Sequence, residues 1–131
     1  MKKRSDAAIR GEAFVHVYGT DCGQRLHAIA AERGAELEEV DADNFDGALL
    51  RYEGEEFGLI LVRRGIKEAA RKRFTLAHEL AHYLLPGHGT EPLHCRQQDI
   101  ESWDENIANA EREANTFAAE ILMPLAPPNR G

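Results

Sequence analysis

The chain has 131 residues, of which 43% are hydrophobic and 30% charged, and its formal net charge is -7. This length favours a single domain, and the composition is that of a globular protein. The acidic balance argues against a protein that mainly grips nucleic acid, and two cysteines are too few for a secreted disulfide scaffold. We therefore expect one domain over residues 1–131, with a core over about 20–124 and a tail over 125–131.

The N-terminus does not have the pattern of a signal peptide. The basic start is followed by a segment in which Asp6, Arg10 and Glu12 interrupt any apolar run. The longest apolar run, over 59–62, is far too short to span a membrane. A soluble, cytoplasmic protein without a membrane segment is expected.

The first half of the chain predicts two helices and then strands. One helix is expected over about 5–18 and ends at Gly19, and Asp21 is expected to cap a second helix that ends at Gly34. Short segments separated by turn signals then predict three strands over about 36–40, 48–52 and 57–62.

The second half predicts a long helix over about 67–85, ended by Pro86, and a last helix over about 102–123, ended by Pro124. The stretch between them is predicted to be a polar loop. The whole pattern predicts an α+β domain in which a small, mostly antiparallel sheet of about three strands packs on an active-site helix and a C-terminal helix.

The long helix contains the pattern H-E-x-x-H at His78, Glu79 and His82. Histidines four residues apart lie on one face of a helix, about 5–6 Å apart at Cβ, so both imidazoles can reach one tetrahedral zinc ion. Glu79 is rotated by about 100° from His78 and can hold a water beside the metal. On the helical wheel these residues and Thr75 form one polar strip on an otherwise apolar helix, which indicates a buried central helix.

A catalytic zinc needs a third protein ligand, and two residues compete for that place. His88 lies where the longer metzincin pattern has its third histidine, but that pattern requires a glycine at position 85, which is Leu85 here. Glu111 lies at the edge of the apolar face of the last helix, whereas Glu113 falls on the polar side. Asn115, one turn after Glu111, is placed to hydrogen-bond a ligand histidine.

Residues 73–82 (RFTLAHELAH), 111–124 (EREANTFAAEILMP) and 45–48 (FDGA) together resemble the ImmA/IrrE family of metallopeptidases. The resemblance implies a zincin-like minimal metallopeptidase domain, with one zinc ion held by His78, His82 and Glu111 and with Glu79 as general base. It also implies regulatory proteolysis of a helix-turn-helix repressor or antitoxin. The sequence leaves manganese open as a replacement for zinc. Two features depart from the family pattern: Ala81 replaces the more usual glycine, and many members continue beyond Pro124.

Two other classes of function compete with a zinc endopeptidase. The first is a zinc-containing binding module that sequesters a transcriptional regulator without cleaving it, although a purely structural zinc has no need of Glu79. The second is direct nucleic-acid contact through a basic cluster, and the overall charge favours a solvated helix start or an acidic partner instead. This cluster consists of Arg63, Arg64, Lys67, Arg71, Lys72 and Arg73. His88, His94 and Tyr52 remain candidates for stabilising the tetrahedral intermediate.

Overall fold

The computed structural model describes residues 5–51, 57–85, 93–95 and 105–122, and for residues 93–95 and 105–107 it describes the backbone alone. In chain order the elements are α1 (Asp6–Tyr18), a 3-10 turn (Cys22–Gln24), α2 (Leu26–Glu32), β1 (Ala35–Val40), β2 (Gly47–Arg51), β3 (Gly58–Arg63), α3 (Ala69–Leu84), β4 (Leu93–Cys95) and α4 (Glu105–Leu122). Helices and a sheet in this arrangement confirm the predicted α+β class.

The first helix begins and ends where the sequence predicts. The Ser5 hydroxyl accepts a hydrogen bond from the Ala8 backbone N–H at 3.2 Å, which caps the start of α1. At the other end Gly19 has a φ of 97°, a conformation that glycine adopts without strain, and its N–H donates to the Val15 carbonyl. α1 therefore ends at Gly19.

The second helix begins later than predicted, and the expected cap at Asp21 is wrong. Asp21 precedes only the 3-10 turn, its side chain makes no capping hydrogen bond, and α2 starts after Arg25. The 3-10 turn packs against α4, and a Cβ atom on Gly23 would lie 3.1 Å from Leu122 Cδ2. Packing against α4 thus accounts for the 3-10 turn before α2. A capping residue in the sequence carries no information about such a tertiary contact.

Among the described residues, the sheet has four strands in the order β1-β3-β2-β4. The three predicted strands are present, and the pairings β2–β3 and β2–β4 are antiparallel, whereas β1–β3 is parallel. β4 lies in the stretch that the sequence predicts to be a loop. The sheet is accordingly mixed, with two antiparallel pairings among three.

The long helix α3 lies at the centre of the fold. It packs against β2 and β3 on one side and against α4 on another, and α1 in turn packs against α4. Six consecutive residues over 77–82 are buried, which is the all-round burial predicted from its apolar wheel. No helix within the described ranges is long and apolar enough to cross a membrane.

Candidate metal centre

The last helix presents one carboxylate to α3. Ala114 and Ala118 are fully buried, and these small side chains allow the backbone of α4 to approach α3 closely. Glu111 is on the same buried side and is only 4% exposed, while Glu113 is exposed to solvent. The wheel argument that separates the two glutamates agrees with this arrangement.

Three side chains from the two helices converge at one point. His78 Nε2 lies 2.8 Å from Glu111 Oε1, and His82 Nε2 lies 2.7 Å from Glu111 Oε2. The two Nε2 atoms are 3.2 Å apart. All three residues are buried and offer one ligand atom each within 4.8 Å of the others, which is the geometry of a group that could hold a metal ion.

The second ring nitrogen of His78 is also bound within the protein. His78 Nδ1 lies 2.7 Å from Asn115 Oδ1, one turn after Glu111 on α4. An amide oxygen only accepts, so Nδ1 donates to Asn115, and Nε2 is the ring nitrogen that could bind a metal once it releases the proton that it donates to Glu111. The expected hydrogen bond between Asn115 and a histidine of the H-E-x-x-H pattern is therefore present, at His78.

Burial and hydrogen bonds within the group shift the pKa values of His78 and Glu111 in opposite directions. Burial lowers the pKa of His78, but the hydrogen bond to Glu111 and the charges of Glu79 and Glu111 outweigh it, so the pKa is raised. Burial raises the pKa of Glu111, but hydrogen bonds from His78 and His82 overcome it and lower the pKa to about 2. Glu111 is thus ionised at neutral pH, which suits a site for a cation.

Glu79 is fully buried on the side of α3 that faces the sheet. A Cβ atom on Gly47 of β2 would lie 2.6 Å from Thr75 Cγ2 and 3.0 Å from Glu79 Oε2. The strand therefore approaches the helix this closely only because residue 47 has no side chain. The Thr75 hydroxyl donates to the Arg71 carbonyl at 2.9 Å, which satisfies the remaining member of the polar strip within its own helix.

Several predicted candidates lie outside the described residues. His88, the competitor for the third ligand position, and Tyr52 are among them. His94 lies on β4, opposite Ala48 of β2, but its side chain is not described. The choice of a residue to stabilise the tetrahedral intermediate therefore stays a prediction.

The predicted basic cluster is largely neutralised within the chain. Four of its six residues form ion pairs with acidic residues: Arg63–Asp46 at 3.1 Å, Arg71–Asp46 at 2.5 Å, Arg64–Asp41 at 2.7 Å and Lys72–Glu39 at 2.8 Å. Charges committed to such pairs are less able to neutralise phosphates. The cluster thus joins α3 and the turn after β3 to the sheet and its connections.

Sequence reasoning missed one residue next to the site. The guanidinium group of Arg51, at the end of β2, reaches the carbonyl groups of His82 and Tyr83 at the end of α3. These contacts join residues 31 and 32 positions apart in the sequence. No local pattern around Arg51 could have indicated them, since they depend on how β2 and α3 pack.

Comparison with known proteins agrees with this geometry. No curated protein is similar enough to the chain to count as a match. The family model described as the IrrE N-terminal-like domain, a peptidase family, matches residues 30–129. That range covers about three quarters of the chain and includes His78, Glu79, His82 and Glu111. The chain therefore belongs to the peptidase family of the IrrE N-terminal-like domain.

Proposed function

We propose that the protein is a zinc-dependent endopeptidase that hydrolyses a peptide bond in a cytoplasmic regulatory protein. The observation that carries the proposal is the convergence of His78, His82 and Glu111 in a buried group with donor atoms 2.7–3.2 Å apart. Glu79, fully buried, follows His78 directly in the sequence. In a member of a peptidase family, this combination supports a hydrolytic site better than a structural one.

The three residues fit a zinc ion in kind and in spacing. Two imidazoles and one carboxylate are a ligand set typical of catalytic zinc. A tetrahedral ion with bonds of about 2.0–2.1 Å separates its ligand atoms by about 3.4 Å. The distances of 2.7, 2.8 and 3.2 Å in this structure would have to open by between about 0.2 and 0.7 Å to reach that spacing. Manganese is the alternative ion, although its preference for oxygen ligands makes it the weaker fit.

Each residue of the group would have a separate task in the reaction. A zinc ion supplies a Lewis acid that polarises the peptide carbonyl and makes water more acidic. His78 is oriented by Asn115, and Glu111 holds its two oxygens toward the two imidazoles. The Glu79 carboxylate accepts a proton from the attacking water and returns it to the amine that leaves.

The family resemblance supports the proposed class of substrate. We propose a helix-turn-helix repressor or an antitoxin as the protein that is cut, because the resemblance of the sequence to the ImmA/IrrE family implies such a substrate. No feature of the described residues selects one regulator among these. A substrate search must therefore begin from peptides rather than from a named partner.

Metal content measured by elemental analysis tests the ligand set. The parent is expected to hold about one zinc per chain, to lose it in Glu111→Ala and to keep it in His88→Ala. Loss of zinc in His88→Ala with retention in Glu111→Ala would instead assign the third ligand to His88. A parent that takes up neither zinc nor manganese would contradict the proposal.

A peptide library digested by the zinc-loaded protein and analysed by mass spectrometry tests the reaction. The parent is expected to cut a defined set of peptides, while Glu79→Gln keeps its zinc and loses at least a hundredfold in rate. Equal rates in Glu79→Gln and the parent would exclude Glu79 as the base. Zinc binding without any cleavage would favour a binding module that sequesters a regulator.

A further inference from the structure

His82 lies in the last turn of α3, where a helix is least constrained. The helix ends at Leu84, and the last carbonyl groups of any helix lack partners within it. The Leu85 N–H donates to the Ala81 carbonyl at 2.8 Å, so the carbonyls of His82 and Tyr83 are the next to require donors. A ligand in this position depends on whatever fixes the helix end.

Arg51 of β2 supplies that donor. Its Nη2 atom lies 3.4 Å from the His82 carbonyl oxygen and also donates to the Tyr83 carbonyl oxygen. The guanidinium carbon lies 5.0 Å from the centroid of the Tyr83 ring, within the range of a cation–π contact. A cation at a helix C-terminus also interacts favourably with the helix dipole.

Tyr83, which Arg51 contacts, is itself held in place by two other parts of the fold. Its hydroxyl donates to the Arg33 carbonyl at 2.7 Å, after the end of α2. Its ring lies so close to β3 that a Cβ atom on Gly58 would be 2.7 Å from it. The end of α3 is therefore held by two strands and by the segment that follows α2.

We propose that Arg51 is a positioning residue of the metal site, which holds the last turn of α3 so that His82 meets Glu111. Residue 82 carries both the carbonyl that Arg51 contacts and the imidazole that lies 2.7 Å from Glu111 Oε2. A small rotation of this turn would move the imidazole away from the other two ligands. The inference rests on the metal site of the proposed function and does not depend on whether peptides are cut.

Zinc affinity, measured by competition with a chromophoric chelator, tests the proposal. Arg51→Gln is expected to bind zinc about tenfold more weakly than the parent, in line with other contacts that orient ligand histidines. Arg51→Lys keeps a charge but offers a single point of donation, so its affinity should fall between the two. The absorption spectrum of the cobalt-substituted protein should also change in Arg51→Gln.

Arg64→Gln is the matched control. Arg64 also donates to a backbone carbonyl, that of Glu39 at 2.9 Å, but it lies away from α3's last turn. This variant should lose some thermal stability and keep the zinc affinity and cobalt spectrum of the parent.

The outcomes separate the inference from the proposed function. Parental zinc affinity in Arg51→Gln would overturn the inference even if its melting temperature fell, because the contact would then be only structural. If Arg51→Gln does not fold, parental affinity in Arg51→Lys would overturn the inference in its place. A parent that binds no zinc would contradict both the role of Arg51 and the proposed function. A parent that binds zinc but cuts no peptide would contradict only the proposed peptidase activity.

Discussion

At the scale of single residues, the position of Glu79 depends on the absence of a side chain at Gly47. A carboxylate that acts as a base must lie within about 3 Å of the proton it takes, and small displacements are costly in rate. A Cβ atom on Gly47 would lie 3.0 Å from Glu79 Oε2 and 3.1 Å from Glu79 Cγ, closer than ordinary van der Waals contact. Gly47 has no positive φ, so space and not backbone conformation is what requires glycine there.

Gly47→Ala is therefore expected to reduce peptide hydrolysis about 10- to 100-fold while the zinc content stays near that of the parent. The added methyl group must displace Glu79 or Thr75, and overpacking should also cost about 1–3 kcal/mol of stability. Cleavage rate, zinc content and thermal unfolding of the same preparation measure the three quantities.

Two further variants separate the effect on Glu79 from a general loss of stability. Gly11→Ala adds an equally crowded Cβ, 2.6 Å from Glu120 Cβ, at the distant contact between α1 and α4, and should leave the rate unchanged. Thr75→Ser combined with Gly47→Ala removes the closest clash but not the contact with Glu79. Full recovery of the rate in this double variant would refute a role through Glu79.

The residues of the site differ in how far the sequence could predict them. His78, Glu79 and His82 follow one another on a single helix, so their spacing alone brings them together. Glu111 required the wheel of a second helix and the assumption that the two helices pack face to face. Arg51 contacts backbone carbonyl groups of another element. Because every residue has a backbone carbonyl, the sequence does not indicate which ones Arg51 contacts.

At the scale of elements, the sequence predicted which segments form strands better than it predicted which strands pair with each other. The strands β1, β2 and β3 begin and end within one residue of their expected limits. Their order could not be read, because alternation of apolar residues does not specify the neighbour or direction of a strand. β4 is only three residues long and pairs with a strand more than forty positions away, so its sequence is too short to carry a strand signal.

Ion pairs around Asp46 join three elements. Asp46 precedes β2, and it accepts hydrogen bonds from Arg63 at the end of β3 and from Arg71 in the first turn of α3. Burial raises the pKa of Asp46, but these hydrogen bonds outweigh it and leave the pKa below its ordinary value. The contact adjoins Gly47 and so fixes the start of β2 beside the site.

Asp46→Asn is expected to lower the free energy of unfolding at pH 7 by up to about 1 kcal/mol, since the side chain is partly exposed. A carboxyl group whose pKa is lowered on folding stabilises the fold above its ordinary pKa. That contribution disappears as the pH falls through the lowered value. The difference between parent and variant should therefore shrink below about pH 4.

Urea unfolding at several pH values measures this difference, with Asp43→Asn as the control. Asp43 lies in the same connection between β1 and β2 and is exposed. A gap between the parent and Asp46→Asn that stays constant down to pH 2 would show that the ion pairs are not its source.

At the scale of the whole molecule, the candidate metal site lies between the two main packing units. α3 belongs to the layer against the sheet, α4 packs on α1, and the two helices meet where Glu111 lies between His78 and His82. Hydrogen bonds join these polar groups to one another, and the fold also has an extended apolar core. In contrast to a zinc finger, the fold is therefore expected to form before the metal binds.

Zinc should then raise stability by mass action rather than permit folding. A ligand that binds only the native state adds about 2.7 kcal/mol at a free concentration one hundred times its dissociation constant, and about 1.4 kcal/mol more for each further tenfold increase. For a domain of this size, each tenfold increase in free zinc should raise the melting temperature by roughly 5 °C. Glu111→Ala should unfold cooperatively at a temperature nearly independent of zinc, because it lacks one of three ligands. An unfolded metal-free parent, or an equal zinc response in Glu111→Ala, would contradict a preformed site between α3 and α4.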